Sequence, residues 1–433
     1  MFHGVMSPLN LQSLAGVLLI LVLCWLFSEN KRRFPFLLTI GAIGLQLALV
    51  LALFGVPAIR AGLTNFGAVF DGLAKSAQAG TAFVFGFLSG TNPQPYPLTT
   101  PGALFVFGFR VLPVIMVVCT LAALLWHWHI LKWITKAFGF VFSRTMGLRG
   151  PTALAAAATI FMGQVEGPII IRAYLNRLTR SELFLLITVG MACVSGSTMV
   201  AYVTILQGVL PGAAAHILTA SIISAPAGIL LARILIPRDP AAEAAQDKMP
   251  PDERVYKSSM DAIMKGIHDG MQIAVNVAAC LIVFVALVAM VNMMLGALPP
   301  VWGAPISVER ILGYVFSPVA WCLGIQSSEI QTAGQLLGTK MMLTEFTAFI
   351  RLGAIPAAEL TERTRTIMTY ALCGFANVAS VGINLAGYSV LLPERRDEVI
   401  KMVGKAMLAG FFATCMSAAL VGAIPAAITA MPS

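Results

Sequence analysis

Charge is what this 433-residue sequence has least of: only 11% of its residues are charged, whereas 58% are hydrophobic. A soluble domain carries about 25% charged residues, so this composition excludes an ordinary soluble protein. The apolar residues also form blocks of about 20, which is enough to cross the ~30 Å hydrocarbon core of a bilayer. Together with a mean hydropathy of +0.87, these blocks predict an all-α polytopic membrane protein.

Motifs for catalysis and for metal binding are also missing. The seven cysteines stand in apolar stretches without CxxC spacing, which predicts buried thiols rather than disulfides or metal ligands. There is no HExxH and no GxSG motif, so neither the zinc nor the serine chemistry of an intramembrane protease is indicated. We therefore expect neither enzymatic activity nor a cofactor.

Basic residues outnumber acidic ones by 28 to 19, a balance that can indicate a nucleic-acid partner, but their positions indicate a membrane orientation instead. We predict eight spans, at residues 11–29, 35–54, 103–131, 182–206, 212–236, 269–296, 366–392 and 402–428. If "ENKRR" (29–33) is cytoplasmic, 20 of the 28 basic residues fall in cytoplasmic segments, which fits the positive-inside rule. We expect a multi-pass protein of the inner membrane, with both termini periplasmic and no nucleic-acid partner.

Two apolar segments, 150–178 and 308–350, do not fit a simple span. Each is interrupted at its centre, by "FMGQVEGPIII" (161–171) and by "WCLGIQSSEIQ" (321–331). Backbone groups freed by such breakers have no partners in lipid and are tolerated only inside protein or beside a wet cavity. We predict two re-entrant helical hairpins, the first of which turns at Gly163, Gly167 and Pro168.

Each predicted hairpin precedes a span that has small and polar residues at its centre, "ACVSGSTMVAY" (192–202) and "CGFANVASVGI" (373–383). Small residues alone are also typical of tight helix packing. The two hairpins leave from opposite sides of the membrane, however, and paired interruptions in inverted repeats indicate a transporter with a site near the midplane.

The polar side chains of that site define its chemistry. They are Gln164, Glu166, Glu329, Asn377 and Ser380, with Phe375 as a stacking surface. Carboxylates, amides and a hydroxyl suit a neutral molecule with hydroxyl donors, and an amide beside an aromatic ring suits a planar heterocycle. The structural alternative is that Glu166 only pairs with a buried arginine, either Arg110 or Arg172.

Seven motifs occur in order over about 300 residues. They are "GTAFVFGFL" (80–88), "GQVEGP" (163–168), "SGSTMVAY" (195–202), "ILGYVFSPVAW" (311–321), "SSE" (327–329), "TEF" (344–346) and "GFANVAS" (374–380). At these residues the sequence resembles the concentrative nucleoside transporter family. The resemblance implies a homotrimer in which scaffold helices hold a moving transport domain, and import of nucleosides by symport with sodium or protons.

The resemblance also assigns boundaries and roles. It implies N-terminal scaffold helices (1–131), a first transport-domain half (132–236), a cytoplasmic linker (237–268), a scaffold span with an interfacial segment (269–307), a second transport-domain half (308–392) and a last span (393–433). Gln164, Val165 and Thr198 would face the nucleobase. Glu166, Glu329, Asn377 and Ser380 would hold the ribose hydroxyls, and Phe375 would line the pocket.

Three positions depart from the family pattern and bear on the coupling ion. The degenerate sodium site would consist of Thr159, Met162, Cys193 and Val194, with threonine in place of asparagine and cysteine in place of serine or threonine. Because a thiol is a soft donor, we predict proton coupling, with sodium as the alternative. The third departure is "TEF" where the family has "NEF". Glu345 of this motif joins Glu166 and Glu329 as a candidate proton carrier. A cation or proton channel or antiporter is the alternative function, and the sequence favours neither purines nor pyrimidines.

Overall fold

The computed structural model describes residues 7–56, 72–73, 75–89, 106–206, 209–238, 256–300, 305–356 and 358–425, and within these ranges it contains helices and no strand. In chain order the main helices are α1 (Pro8–Leu26), α2 (Phe36–Gly55), α3 (Leu112–His127), α4 (Ile130–Met146), α5 (Gly150–Met162), α6 (Arg180–Ala192), α7 (Gly196–Leu206), α8 (Ala213–Leu235), α9 (Ser259–Gly296), α10 (Val308–Cys322), α11 (Ile330–Met342), α12 (Glu345–Ala354), α13 (Glu362–Leu372), α14 (Val378–Leu391) and α15 (Arg396–Ala423). Residues 75–85 are also helical. Short helical turns lie at Gly86–Ser89, Phe107–Arg110, Glu166–Ile169, Arg172–Leu175 and Pro393–Arg395.

Five of the eight predicted spans correspond to single helices that are long and apolar enough, among the described residues, to cross a membrane. These are α1, α2, α8, α9 and the helix that includes α15. The predicted third span ends at His127, where α3 bends by 77° into α4. The bend includes His129, which has a φ of +67°.

The other two predicted spans are broken at their centres, as their sequences predict. The first consists of α6 and α7, separated by residues 193–195, and the second of α13 and α14, separated by residues 373–377. At the second break Asn377 is the N-cap of α14, and its side chain accepts a hydrogen bond from the Ser380 amide at 2.7 Å.

The two segments predicted as re-entrant hairpins are helix–turn segments, and their extents differ from the prediction. In the first, α5 ends at Met162, and Gly163 follows with a φ of +116°. Its second limb consists of two short helical turns rather than one helix. In the second, α10 and α11 pack together and the hairpin ends at Met342, not at residue 350, because Thr344 caps a new helix, α12, by accepting from the Thr347 amide.

Helix α9 begins at Ser259, so it extends into the predicted linker 237–268. Ser258 caps it by accepting from the Asp261 amide at 3.1 Å, and Asp261 pairs with Lys265 one turn later at 3.2 Å. Residues 239–255 of the linker lie outside the described ranges. A capped polar first turn explains why the helix starts before its apolar part.

The buried centre of the protein is α8, which is enclosed by α6 and α15. In an apolar stretch of 18 residues within α8, 94% of the residues are buried, compared with 17% in α2 and 6% in α9. Leu37, Ile282 and Met293 are among the large exposed apolar side chains of these outer helices. The outer helices therefore present the apolar surface that a bilayer requires.

Candidate binding site at the two helix breaks

The two helix breaks touch each other. The amide of Phe375 donates to the carbonyl of Cys193 at 3.3 Å, so one break satisfies a backbone group freed by the other. A Cβ at Gly374 would lie 2.8 Å from the carbonyl oxygen of Ala192, so only glycine allows this approach. The crossing places the centres of both broken helices at one point.

The tip of the first hairpin packs against this crossing. A Cβ at Gly163 would lie 3.3 Å from Ser195 Cβ and 2.6 Å from Glu166 Oε2, so the positive φ and the lack of space both require glycine. Gly190 of α6 lies under Gln164, where an added Cβ would be 3.0 Å from Gln164 Cβ. These contacts fix the backbone of the "GQVEGP" motif beside the first break.

Helix α14 brings two polar residues to Gln164. Gln164 Nε2 lies 3.5 Å from Ser380 Oγ, and Asn384 Nδ2 donates to Gln164 Oε1 at 2.9 Å. Val165 packs against Gly387, where a Cβ would lie 2.6 Å from Val165 Cγ1. Gln164, Ser380 and Asn384 are all buried, so the amide of Gln164 is held in a defined position.

Glu345 stands at the other side of the same network. Its carboxylate accepts from Tyr202 Oη at 2.8 Å and from Asn377 Nδ2 at 2.5 Å, and only 5% of the residue is exposed. Thr198, one turn before Tyr202 on α7, bonds to Ser195 through its hydroxyl at 2.9 Å. A polar group therefore runs from Glu345 through Asn377 and Ser380 to Gln164.

The structure places Glu329 apart from this group, contrary to the sequence-based expectation. Glu329 accepts from the amide of Thr361 at 2.8 Å and from its hydroxyl at 3.1 Å. Thr361 is the N-cap of α13, whereas Asn377 follows its C-terminal end. At 1.5 Å per residue, the 11 residues of α13 separate Thr361 from the second break by about 16 Å.

Glu166 remains at the hairpin tip, half-buried beside Gly163. Among the described ion pairs, none includes Glu166 or Glu345. The alternative that Glu166 pairs with Arg110 or Arg172 concerns side chains that lie outside the described part of the structure. Both carboxylates therefore remain candidates for a functional role.

The four residues predicted to form a degenerate sodium site lie on the hairpin and the first break. Thr159 donates its hydroxyl to the carbonyl of Ala155 in its own helix at 2.8 Å, and Cys193 directs its sulfur to the carbonyl of Ser221 at 3.5 Å. The carbonyl of Val194 accepts from the Ser221 hydroxyl at 3.3 Å, and Met162 is the last residue of α5. Thr159 supplies the one side-chain oxygen of this set, and its lone pairs stay available because its hydroxyl donates. Sodium prefers several hard oxygen ligands.

Sequence reasoning missed two members of the group and the position of a third. Tyr202 and Asn384 each lie four residues after a predicted site residue, Thr198 and Ser380 respectively. Residues four apart share one face of a helix, and this spacing could have identified both. Glu345 was expected only as a proton carrier, and its contact with Asn377 joins elements that are distant in sequence.

A buried cation lies behind the second break. Lys340 of α11 is fully buried and donates to the carbonyl of Ala371 and to the hydroxyl of Thr414, both at 2.7 Å. Ala371 is in the last turn of α13, where carbonyl groups lack partners within the helix. Lys340 therefore stabilises the C-terminal end of the half-helix that leads into the site.

Two crossing broken helices that hold buried amides, hydroxyls and a carboxylate are typical of secondary transporters. Three family profiles match the chain: "Na+ dependent nucleoside transporter C-terminus" at residues 216–422, "Na+ dependent nucleoside transporter N-terminus" at 15–88, and "Nucleoside recognition" at 108–209. The chain belongs to the concentrative nucleoside transporter family.

Several relatives and solved structures are similar to this protein over nearly its whole length. The putative nucleoside permease NupX of Escherichia coli is 34% identical over 95% of this chain and 98% of its own length. The nucleoside permease NupC of Helicobacter pylori is 32% identical over 95% and 97%. The structure of CNTnw in an inward-facing substrate-bound state has a TM-score of 0.86 at 32% identity, covering 96% of this chain and 97% of that one.

Proposed function

We propose that this protein imports nucleosides across the cytoplasmic membrane by symport, through alternating access. The observation that carries the proposal is the polar group from Glu345 to Gln164, which joins the first hairpin, both broken helices and α12. A channel or antiporter for bare cations needs a carboxylate but has no use for the two buried amides beside it. The group therefore favours a larger neutral substrate.

Glu345 is the group that we assign to the ribose. An ionised carboxylate has about four acceptor sites, and Tyr202 and Asn377 use two of them. The remaining two suit a pair of neighbouring ribose hydroxyls, with Ser380 beside Asn377 at the start of α14. This assignment replaces Glu329, whose carboxylate is bonded to Thr361.

The nucleobase belongs at the hairpin tip. Gln164 supplies an amide, Val165 an apolar contact and Phe375 a partly buried ring at the crossing of the breaks. Thr198, fixed by Ser195, adds a hydroxyl on the adjacent half-helix. An amide with an aromatic ring suits a planar heterocycle, and no feature of the group favours purines over pyrimidines.

We infer that protons rather than sodium drive the uptake. Support comes from the sulfur that Cys193 offers in place of an oxygen, which leaves Thr159 as the one side-chain oxygen among the four residues. Glu166 is a carboxylate at the hairpin tip and can take up a proton together with the substrate, while Glu345 stays ionised to accept from the ribose. Glu329 lies at the far end of α13 and fits this role less well.

The membrane arrangement of the proposal follows the family. Residues 132–236 and 308–392 form a moving transport domain, and the remaining helices form a scaffold. A homotrimer would cover part of the exposed apolar surface of the scaffold, and lipid would cover the rest. The termini face the periplasm in this arrangement, because most basic residues then lie in the cytoplasm.

The test is uptake of labelled uridine into proteoliposomes that contain the purified protein. We expect uptake above empty vesicles, strong stimulation by an inward pH gradient in sodium-free buffer, and little stimulation by a sodium gradient at fixed pH. Uptake that responds only to sodium would contradict the proton assignment while supporting transport. Absence of uptake and of nucleoside binding, together with proton or cation flux, would favour the channel or antiporter.

A further inference from the structure

Asn384 is a fully buried residue of α14 that contacts the proposed nucleobase reader. Its Nδ2 atom donates two hydrogen bonds of 2.9 Å, one to the backbone carbonyl of Ser380 and one to Gln164 Oε1. Its Oδ1 atom is buried and has no hydrogen-bond partner among the described residues. The hydrogen bonds described for the Asn384 side chain thus all use its nitrogen.

These contacts determine which way the amide of Gln164 points. A backbone carbonyl can only accept, so the Asn384 atom that faces the Ser380 carbonyl must be the nitrogen. The Gln164 atom that meets the same nitrogen must therefore be its oxygen. This leaves Gln164 Nε2 on the other side, 3.5 Å from Ser380 Oγ, with hydrogen-bonding capacity to spare.

We propose that Asn384 is a specificity-determining residue, which acts by holding Gln164 as a hydrogen-bond donor toward the bound base. The inference rests on the proposed function and adds a selection rule to it. A base that presents an acceptor to Gln164 forms a hydrogen bond, whereas an analogue without that acceptor leaves a buried amide donor unpaired. Without Asn384, the amide of Gln164 can rotate by half a turn and accept instead of donate.

The experiment compares each nucleoside with analogues that lack a single base acceptor. Binding to the purified full-length protein is measured for uridine and its 4-deoxy analogue, and for adenosine and its 1-, 3- and 7-deaza analogues. The variants are Asn384→Leu, which cannot orient Gln164, and the control Tyr388→Phe. Tyr388 lies one turn further along α14, and its buried hydroxyl has no partner among the described residues, so the control deletes a polar atom without changing Gln164.

We expect the wild type to bind at least one acceptor-deleted analogue about 2- to 10-fold more weakly than its parent, which is the value of one hydrogen bond. Asn384→Leu should lose this discrimination, and Tyr388→Phe should keep it. Equal discrimination in the wild type and in Asn384→Leu, or no discrimination against any analogue in the wild type, would overturn the inference. Failure of the wild type to bind any nucleoside would instead contradict the proposed function.

If Asn384→Leu does not fold, Asn384→Ser provides the second variant, because a shorter hydroxyl can still bond to the Ser380 carbonyl but does not span the distance to Gln164. The unfolding temperature of each variant is recorded with the binding data. A purely structural role for Asn384 would lower stability and weaken all nucleosides in proportion, leaving the ratios between parents and analogues unchanged. Changed ratios in a folded variant are the outcome that supports the proposal.

Discussion

Replacement of Glu345 by glutamine tests the ribose assignment at the level of single hydrogen bonds. The carboxylate already accepts from Tyr202 and Asn377, and we assign its remaining capacity to the ribose. A glutamine of the same shape has one oxygen and turns its NH2 group toward one of these donors. At least one charge-assisted hydrogen bond is lost, which is worth about 1.5–3 kcal/mol.

That loss corresponds to nucleoside binding that is about 10- to 150-fold weaker. Binding is measured by calorimetry for uridine and for its 2′-deoxy, 3′-deoxy and 2′,3′-dideoxy analogues. The wild type should discriminate against the analogues, and Glu345→Gln should discriminate much less, because the hydroxyls no longer have their acceptor. The loss should therefore be smallest for the dideoxy compound.

Glu329→Gln is the matched control, since it makes the same substitution at the glutamate that precedes α11, outside the polar group. Glu329 is bonded to Thr361 at the far end of α13, so we expect lower thermal stability but uridine affinity within about 2-fold of the wild type. The reasoning is refuted if Glu329→Gln loses discrimination between uridine and the deoxy analogues while Glu345→Gln retains it.

Three further predictions concern the base, the hairpin and the ion pair of Glu29 with Arg180. Phe375→Ala should weaken the binding of all nucleosides by similar factors, since base stacking is worth about 1–3 kcal/mol. Gln164→Ala should instead change the order of affinities among nucleosides. Equal losses of binding for every base in both variants would contradict this division. Gly163→Ala should abolish uptake even where the protein folds, because its φ of +116° and the nearby Glu166 carboxylate exclude a side chain; normal uptake would contradict the described tip. The hydrogen bond from Arg180 lowers the pKa of Glu29 below its ordinary value. This partly exposed pair therefore contributes at most about 1 kcal/mol at neutral pH and loses it as the pH falls through the lowered pKa. The difference in unfolding temperature between the wild type and Glu29→Gln should shrink as the pH falls, and a constant difference would contradict the assignment.

Much of the architecture could be predicted from sequence because helix breaks in a membrane leave a local signal. Glycine, serine and asparagine at the centre of an apolar run predicted both breaks, and Gly163 predicted the hairpin turn. The broken spans at 193–195 and 373–377 are confirmed. Helix ends were less predictable: Thr344 starts a new helix and Ser258 starts α9 early, and both depend on single capping hydrogen bonds.

The membership of the site was harder to predict than its place in the fold. Glu329 and Glu345 are both acids near the second hairpin, and sequence spacing does not show which one faces Asn377. The difference is tertiary: α13 carries Glu329's partner, Thr361, at one end and leads to Asn377 at the other. The contact between Gln164 and Asn384 likewise joins residues far apart in the chain.

Under the proposed function, the contacts also indicate how a bound nucleoside would affect movement of the transport domain. Tyr202 links α7 to α12 twice, because its hydroxyl bonds to Glu345 and its ring stacks on Phe349 at 4.4 Å. Asn377 adds α14 to this unit through Glu345. The hairpin tip is attached to α14 more lightly, by the side chain of Gln164 and by the packing of Val165 on Gly387.

A nucleoside that bonds to Glu345 with its ribose and to Gln164 with its base would join the tip to the rest of this unit. The loaded unit would then move across the membrane as one body, whereas the empty unit would retain a tip that can separate from α14. A substrate that lacked either its ribose hydroxyls or its base acceptor would bridge the two parts incompletely. Such a substrate should therefore lose transport rate in addition to affinity, because binding energy at both ends is needed to hold the moving parts together.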